Sequence, residues 1–282
     1  MEVIRTIASI FADCEAARAD ERTIGLVPTM GALHEGHLSL IRRARAERDH
    51  VVLSIFVNPL QFGDPADLAA YPRGEQDDLE AAAREGVDVV FAPTVQEMLG
   101  SGEPGVTVDP GPLGDRLEGA SRAGHFRGVV TVVAELFNAV GPCAAYFGEK
   151  DAQQLAVIGR MIRDLSFPVQ IVPCPTVREP DGLAMSSRNQ RLSSEQREAV
   201  GCLFLALSEA AELARAGERE ASKLVAAMAR EIGATPQARL DYAVVVDDDF
   251  EPIERIGGPA RALVAARFGE VRLIDNLVLP TG

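Results

Sequence analysis

The sequence predicts an α/β protein, a parallel sheet covered by helices on both faces, followed by a smaller C-terminal α+β domain. Short β-branched or apolar runs alternate with longer amphipathic stretches up to about residue 175, the pattern of strands joined by crossover helices. Beyond residue 176 that alternation gives way to a polar loop, two long helical stretches and two further strand-like runs. The chain has 282 residues and is 47% hydrophobic, enough apolar surface to fill sizeable cores. These observations divide it into residues 1–176 and 177–282.

In chain order, a helix over 5–18 precedes the first clear strand, Thr23 to Val27, and a helix over 36–48 leads to a second strand, Val51 to Val57. Helix 75–85 ends at Gly86, suited to the left-handed residue that closes a helix, and strand Val87 to Phe91 follows. Helix 128–140, strand Ala144 to Phe147, helix 151–165 and strand Val169 to Val172 complete the first part. In the second part a long helix spans Ser194 to Ala216, with Ser193 and Gln196 as a capping box and Gly217 at its end. A helix from Arg219 to Ile232 and strands near 240–246 and 261–268 follow. There is no internal repeat, and the Ala/Glu/Arg-rich stretch 206–231 has the spacing of ordinary helices.

Charge and cysteine usage narrow the function classes. With 28 basic against 42 acidic residues the formal charge is -14, which excludes nonspecific attraction to a nucleic-acid backbone and requires any anionic substrate to meet a locally positive site. Cys14, Cys143, Cys174 and Cys202 are scattered, without a CxxC pair or zinc-site spacing, and read as buried free thiols. Arg5, Asp13 and Glu15 interrupt the N-terminus, so it does not read as a signal peptide, and no apolar run approaches the ~20 residues of a membrane span. A cytoplasmic location is expected, with neither nucleic acid nor membrane as partner.

The chemistry is concentrated at predicted strand ends, where doubly wound sheets bind ligands. PTMGALHEGH, residues 28–37, leaves the first strand and enters a helix whose N-terminal N–H groups and dipole favour phosphate. His34 and His37, three apart, share one side of that turn, and Gly36 leaves room for a ligand against the backbone. Neither GxGxxG nor GxxxxGK[ST] occurs, so a dinucleotide enzyme and a P-loop ATPase are unsupported. Gly148, Glu149, Lys150 and Asp151 occupy another strand-to-helix turn, where a lysine can reach a phosphate. Met185, Ser186, Ser187, Arg188 and Asn189 form a donor-rich loop at the domain boundary, suited to closing over a triphosphate, which makes the C-terminal domain a lid. Asn58, Pro59, Gln61 and Phe62 follow the second strand and suit a small polar substrate. Asp77 and Asp78 read as a solvated helix face.

Together these segments resemble the pantothenate synthetase family. PTMGALHEGH, FVNPLQFG, YPR, GHFRGV, FGEKDAQQL, PTVRE and DGLAMSSRN occur in the family's order, and the C-terminal third agrees in length and pattern. The resemblance implies a Rossmann-like fold of the HIGH-type nucleotidyltransferase superfamily, HxGH and MSSRN standing for its HIGH and KMSKS signatures. It implies ATP-dependent joining of pantoate to β-alanine through a pantoyl adenylate, releasing AMP and pyrophosphate. By resemblance, Met30, Gly31, Ala32, Leu33, His34, Glu35, Gly36 and His37 contact ATP, with Gly148, Glu149, Lys150, Asp151, Val177, Met185, Ser186, Ser187 and Arg188. His37 takes an acid role, and His34, His37, Lys150 and Arg188 supply positive charge to the reacting phosphates. Gln61 and Gln154 hold pantoate, with Gln61 also near β-alanine. Mg²⁺ accompanies ATP without a dedicated protein cage, no tightly bound organic cofactor is expected, and the family implies a homodimer. Ala152 and Ala123 depart from the family's aromatic and proline, which affects local packing more than chemistry. The residues alone also admit an adenylyltransferase acting on a phosphorylated acceptor, disfavoured by neutral amides at Gln61 and Gln154, and a nonenzymatic nucleotide sensor.

Overall fold

Strands buried on both faces set the architecture of the first part of the computed structural model, which describes residues 1–100 and 104–280. The elements are β1 (Glu2–Ile4), α1 (Ile7–Ala19), β2 (Ile24–Thr29), α2 (Glu35–Glu47), β3 (His50–Ile55), α3 (Pro65–Ala69), α4 (Glu75–Arg84), β4 (Val89–Phe91), α5 (Val95–Leu99), α6 (Glu118–Ser121), α7 (His125–Val140), β5 (Cys143–Gly148), α8 (Ala152–Asp164) and β6 (Val169–Cys174). After these come α9 (Ser194–Ala199), α10 (Cys202–Arg215), α11 (Ala221–Gly233), β7 (Ala238–Val246), β8 (Ala260–Phe268) and β9 (Val271–Leu279). The chain divides into one unit of Met1–Glu149 with Gln153–Pro175 and another of Lys150–Ala152 with Thr176–Gly282. Thr281 and Gly282, at the end of the expected C-terminal domain, lie outside the described residues.

The first unit carries six parallel strands in the order β1-β4-β3-β2-β5-β6. Successive strand residues point to opposite faces. Leu26 and Val52 therefore pack on one side with Ile10, Phe126, Phe137 and Ile158, whereas Val27 and Leu53 pack on the other with Ile41, Val90 and Tyr146. Helix α7 is buried along nearly its whole circumference and starts three residues before the expected helix. β1 escapes sequence reading because three residues show no resolvable alternation.

In the second unit, α10 and α11 cover an antiparallel sheet ordered β7-β8-β9, with Leu203, Leu207, Leu224, Met228, Val264, Phe268 and Leu273 in its core. The single helix expected over 194–216 is two helices. Gly201 weakens helical continuity, and Leu203 N bonds back to Val200 O at 3.2 Å in a tighter turn that starts α10 anew. The capping box of Ser193 and Gln196 forms, and Gly86 takes a left-handed conformation after α4. β9 is an unexpected strand, since Asp275 and Asn276 interrupt its apolar pattern yet are both buried. All four cysteines are free, and burial pushes the Cys14 and Cys143 thiols up to about 12. No helix among the described residues is long and apolar enough to cross a membrane.

Candidate functional site

Strand order creates a switch point in the first unit. From β2 the chain builds β3 and β4 on one side, then returns to place β5 on the other, so the carboxyl ends of β2 and β5 flank a crevice. Met30 follows β2, while Gly148 and Glu149 sit at the end of β5.

The β2–α2 loop is shaped by its backbone. Gly31 (φ 76°) and Ala32 (φ 51°) are consecutive left-handed residues. A β-carbon at Gly31 would come within 2.7 Å of Asp78 Oδ2, so only glycine fits there. Asp78 itself accepts Ala32 N at 2.9 Å on Oδ2 and Leu33 N at 2.7 Å on Oδ1. The solvated face expected for the Asp77 and Asp78 pair is therefore correct only for Asp77. Asp78 is buried because its two oxygens satisfy two loop N–H groups that would otherwise lack partners. Thr29 Oγ1 donates to Ser54 O at 2.7 Å and accepts Gly31 N at 3.2 Å, tying the same loop to β3.

His34 is the N-cap of α2, and the two histidines form a reciprocal capping box. His34 Nδ1 accepts Gly36 N at 3.2 Å, and His37 Nδ1 accepts His34 N at 3.4 Å. A neutral ring that accepts through Nδ1 carries its proton on Nε2, so both histidines are N–H donors at their outer nitrogens. Their rings lie 4.1 Å apart between centroids. Glu35, in the first turn, pairs with Arg42 at 2.6 and 2.9 Å, and those bonds hold its carboxyl below the usual range. The acid is thus engaged along the helix beside a terminus that favours anions.

A second arm meets this loop within the first unit. Asn58 accepts Leu60 N and donates to Gln61 Oε1 (3.1 Å) and Gly128 O (3.0 Å), while Gln61 Nε2 lies 3.0 Å from Met30 Sδ. Gln61 O accepts His125 Nδ1 at 2.9 Å and Arg122 Nη2 at 3.2 Å. His125 must donate through Nδ1 to a carbonyl, which leaves Nε2 to accept Arg122 Nη1 at 3.2 Å. A β-carbon at Gly128 would stand 2.4 Å from the Leu60 carbonyl group, so α7 and the 58–62 turn touch backbone to backbone. Arg122 and His125 are neighbours of Gln61 that sequence reasoning did not assign, although His125 lies in the quoted GHFRGV segment. Gln154 is partly exposed on α8. Its neighbour Gln153 is buried, donates to Leu113 O and Arg116 O at 2.9 Å, and accepts Glu118 N at 3.1 Å.

The remaining expected site residues belong to the second unit. Met185 N donates to Val177 O at 3.0 Å, closing a hairpin that Arg178 and Ala184 continue as a β-bridge. Ser186 Oγ accepts Arg188 N at 3.3 Å and caps the short 3-10 turn Ser187–Arg191, and Asn189 Nδ2 donates to Ala184 O at 3.1 Å. Arg197 binds both Glu179 and Asp181 of the hairpin and holds the Asp181 carboxyl below its ordinary range. Lys150 is mostly buried, its Nζ 3.4 Å from Asp151 Oδ1.

The sequence model of the family described as pantoate-beta-alanine ligase matches residues 2–278. A pantothenate synthetase of Roseiflexus castenholzii is 54% identical over 280 residues, covering 99% of each chain, and one of Moorella thermoacetica is 53% identical with the same coverage. The crystal structure of pantothenate synthetase from Thermus thermophilus is similar with a TM-score of 0.93 at 47% identity, over 99% of this chain and 100% of that one. A pantoate-beta-alanine ligase from Francisella tularensis, complexed with beta-gamma ATP and beta-alanine, is similar with a TM-score of 0.80 at 34% identity, over 100% of this chain and 99% of that one. Those neighbours have the HIGH-type nucleotidyltransferase fold.

Proposed function

The chain belongs to the pantoate-beta-alanine ligase family, and we propose that it performs that ligation in two steps, through a pantoyl adenylate. In the first step the pantoate carboxylate attacks the α-phosphate of ATP, forming the mixed anhydride and releasing pyrophosphate. In the second, the β-alanine amine attacks the anhydride carbonyl, forming the amide and releasing AMP.

The first step brings anion to anion, so positive charge and alignment do the work that a covalent nucleophile does elsewhere. The N-terminus of α2 contributes roughly half a positive charge. His34 and His37 add two Nε2–H donors fixed by their capping bonds, with His37 donating to the phosphate oxygens as they depart. Met30, Gly31, Ala32, Leu33, Glu35 and Gly36 supply the nucleotide-lining backbone, and Gly148 and Glu149 end the neighbouring strand. Lys150, Asp151, Val177, Met185, Ser186, Ser187 and Arg188 serve ATP as well, with Lys150 and Arg188 as its cations. Gln61 and Gln154 hold pantoate through neutral amides, and Gln61 also borders β-alanine. Mg²⁺ would arrive with ATP and supply further positive charge to its phosphates, with no protein cage assigned to it. The enzyme works without a tightly bound organic cofactor, as a cytoplasmic homodimer.

The contact of Gln61 with Met30 carries this reading, because it joins the arm for the acid to the loop for the nucleotide at 3.0 Å. An assay of AMP release tests it. AMP is expected only when ATP, pantoate and β-alanine are all present, and ATP binding with no AMP release in the complete mixture would make the protein a nucleotide sensor.

A further inference from the structure

Lys150 groups with the second unit, although the strand before it and Gln153 after it group with the first. The contact that secures it comes from β9. Asn276 Nδ2 donates to the Lys150 carbonyl at 2.9 Å, and Arg261 Nη1 donates to Asn276 Oδ1 at 2.5 Å. A guanidinium only donates and a carbonyl only accepts, so the amide can face just one way. Its neighbour Asp275 takes Arg178 in a bidentate pair at 2.6 and 3.0 Å, and Arg178 also reaches Gly182 O at 3.0 Å and stacks 4.4 Å over Phe204. Both side chains are buried, at 3% exposure for Asp275 and 4% for Asn276. The ladder of β9 with β8 uses main-chain groups, so strand pairing does not explain these two polar side chains. One dipeptide thus holds both the Lys150 main chain and the hairpin from Val177 to Met185.

We propose that Asn276 is a positioning residue for the ligation: its amide fixes the Lys150 backbone, and with it the point from which the ammonium reaches the phosphates of ATP. Asp275 does the same for the hairpin through Arg178. The proposal rests on the reading that Lys150 serves ATP. A displacement of about 1 Å at a charged group costs about 10- to 100-fold in rate.

Asn276→Asp isolates the contact, since it keeps the size and the acceptor for Arg261 but turns an oxygen toward the Lys150 carbonyl. The expected result is a 10- to 100-fold loss in kcat/KM for ATP, expressed mainly in KM, with the KM for β-alanine unchanged. Asn276→Ala, which loses the donor without adding repulsion, gives the same split if the aspartate variant folds poorly. In a Lys150→Ala background neither substitution costs anything further, because the group they position is gone. Impaired Lys150→Ala enzyme with wild-type ATP kinetics in both Asn276 variants overturns the positioning role alone. Equal losses in both backgrounds overturn it too, as those describe a structural defect. Wild-type activity in Lys150→Ala removes the reading beneath it as well.

Discussion

Asp78 and Asp275 are both buried carboxylates that hold a site-bearing loop, yet they do so with different partners. Asp78 grips two backbone N–H groups of the β2–α2 loop, whereas Asp275 grips the side chain of Arg178 at the base of the 177–185 hairpin. Backbone donors remain whatever side chains the loop carries, short of proline, so Asp78 has no side-chain partner that could be exchanged along with it. A guanidinium can be replaced together with its partner, so the second arrangement is exchangeable. Energetics differ accordingly. Burial pushes the Asp275 carboxyl up, opposed by Arg178, which marks a charge whose desolvation is only partly offset.

The largest expected effect is on the second unit. Asp275→Ala strands Arg178 in a mostly buried position and is expected to cost about 3–5 kcal/mol of stability, read from the denaturant midpoint. Replacing both partners, as Arg178→Met with Asp275→Leu, recovers most of that loss. If the double replacement is as unstable as the single one, the exchangeability of this pair is wrong.

Next comes the chemistry of the first loop. His37→Ala is expected to lower turnover by roughly 10²- to 10³-fold, the scale for one preorganised donor, with the fold intact because α2 retains its His34 cap. Turnover near wild type in a folded variant would reduce His37 to its capping bond. Asp78→Ala leaves two loop N–H groups without their acceptor and is expected to cost about 1–3 kcal/mol in stability. Its turnover falls as well, since Ala32 and Leu33 lie directly before the histidines. Asp78→Asn keeps one acceptor and loses less; equal damage from both would mean that charge, not the double acceptor, is what the loop needs.

The smallest effect concerns a third carboxyl, which has neither kind of partner among the described residues. Burial, with the negative charge of Glu97 adding to it, pushes Glu135 on α7 up to about 7. The native state therefore holds this proton more tightly than the unfolded chain, and stability falls as pH rises from the ordinary glutamate value of about 4.3 to about 7, then levels. Glu135→Gln flattens that slope. An unchanged slope between about pH 5 and about pH 8 would assign the pH dependence to other groups.

The same contrast explains what the sequence discloses. The strands of the parallel sheet are legible because burial on both faces demands continuous apolar runs such as VVL, residues 51–53, in β3. HxGH is legible because capping and phosphate recognition both use a helix start. Asp78 is not, since an acid in a first turn beside Asp77 looks solvated until the loop it holds is in place. β9 is hidden for a related reason: its adjacent buried polar residues Asp275 and Asn276 spoil the alternation that reveals strands, and their partners lie far away in sequence at Arg178 and Lys150. Gly201 is equally silent, because helical periodicity continues across it. Among two adjacent glutamines, spacing cannot tell that Gln153 is buried against 113–118 while Gln154 is partly exposed.

Pyrophosphate exchange tests the central claim, activation of pantoate before the amine attacks. Enzyme, Mg²⁺, ATP and pantoate without β-alanine are expected to move labelled pyrophosphate into ATP, because adenylate formation is reversible while the anhydride stays bound and shielded from water. Gln61→Ala, which removes an amide proposed to hold pantoate, is expected to impair exchange together with overall synthesis. Pantoate-dependent exchange in the wild type, lost in parallel with synthesis in that variant, is the predicted result. Full exchange in Gln61→Ala would remove Gln61 from the pantoate site. Synthesis without any exchange, and with no adenylate found by rapid quench, would contradict the two-step account.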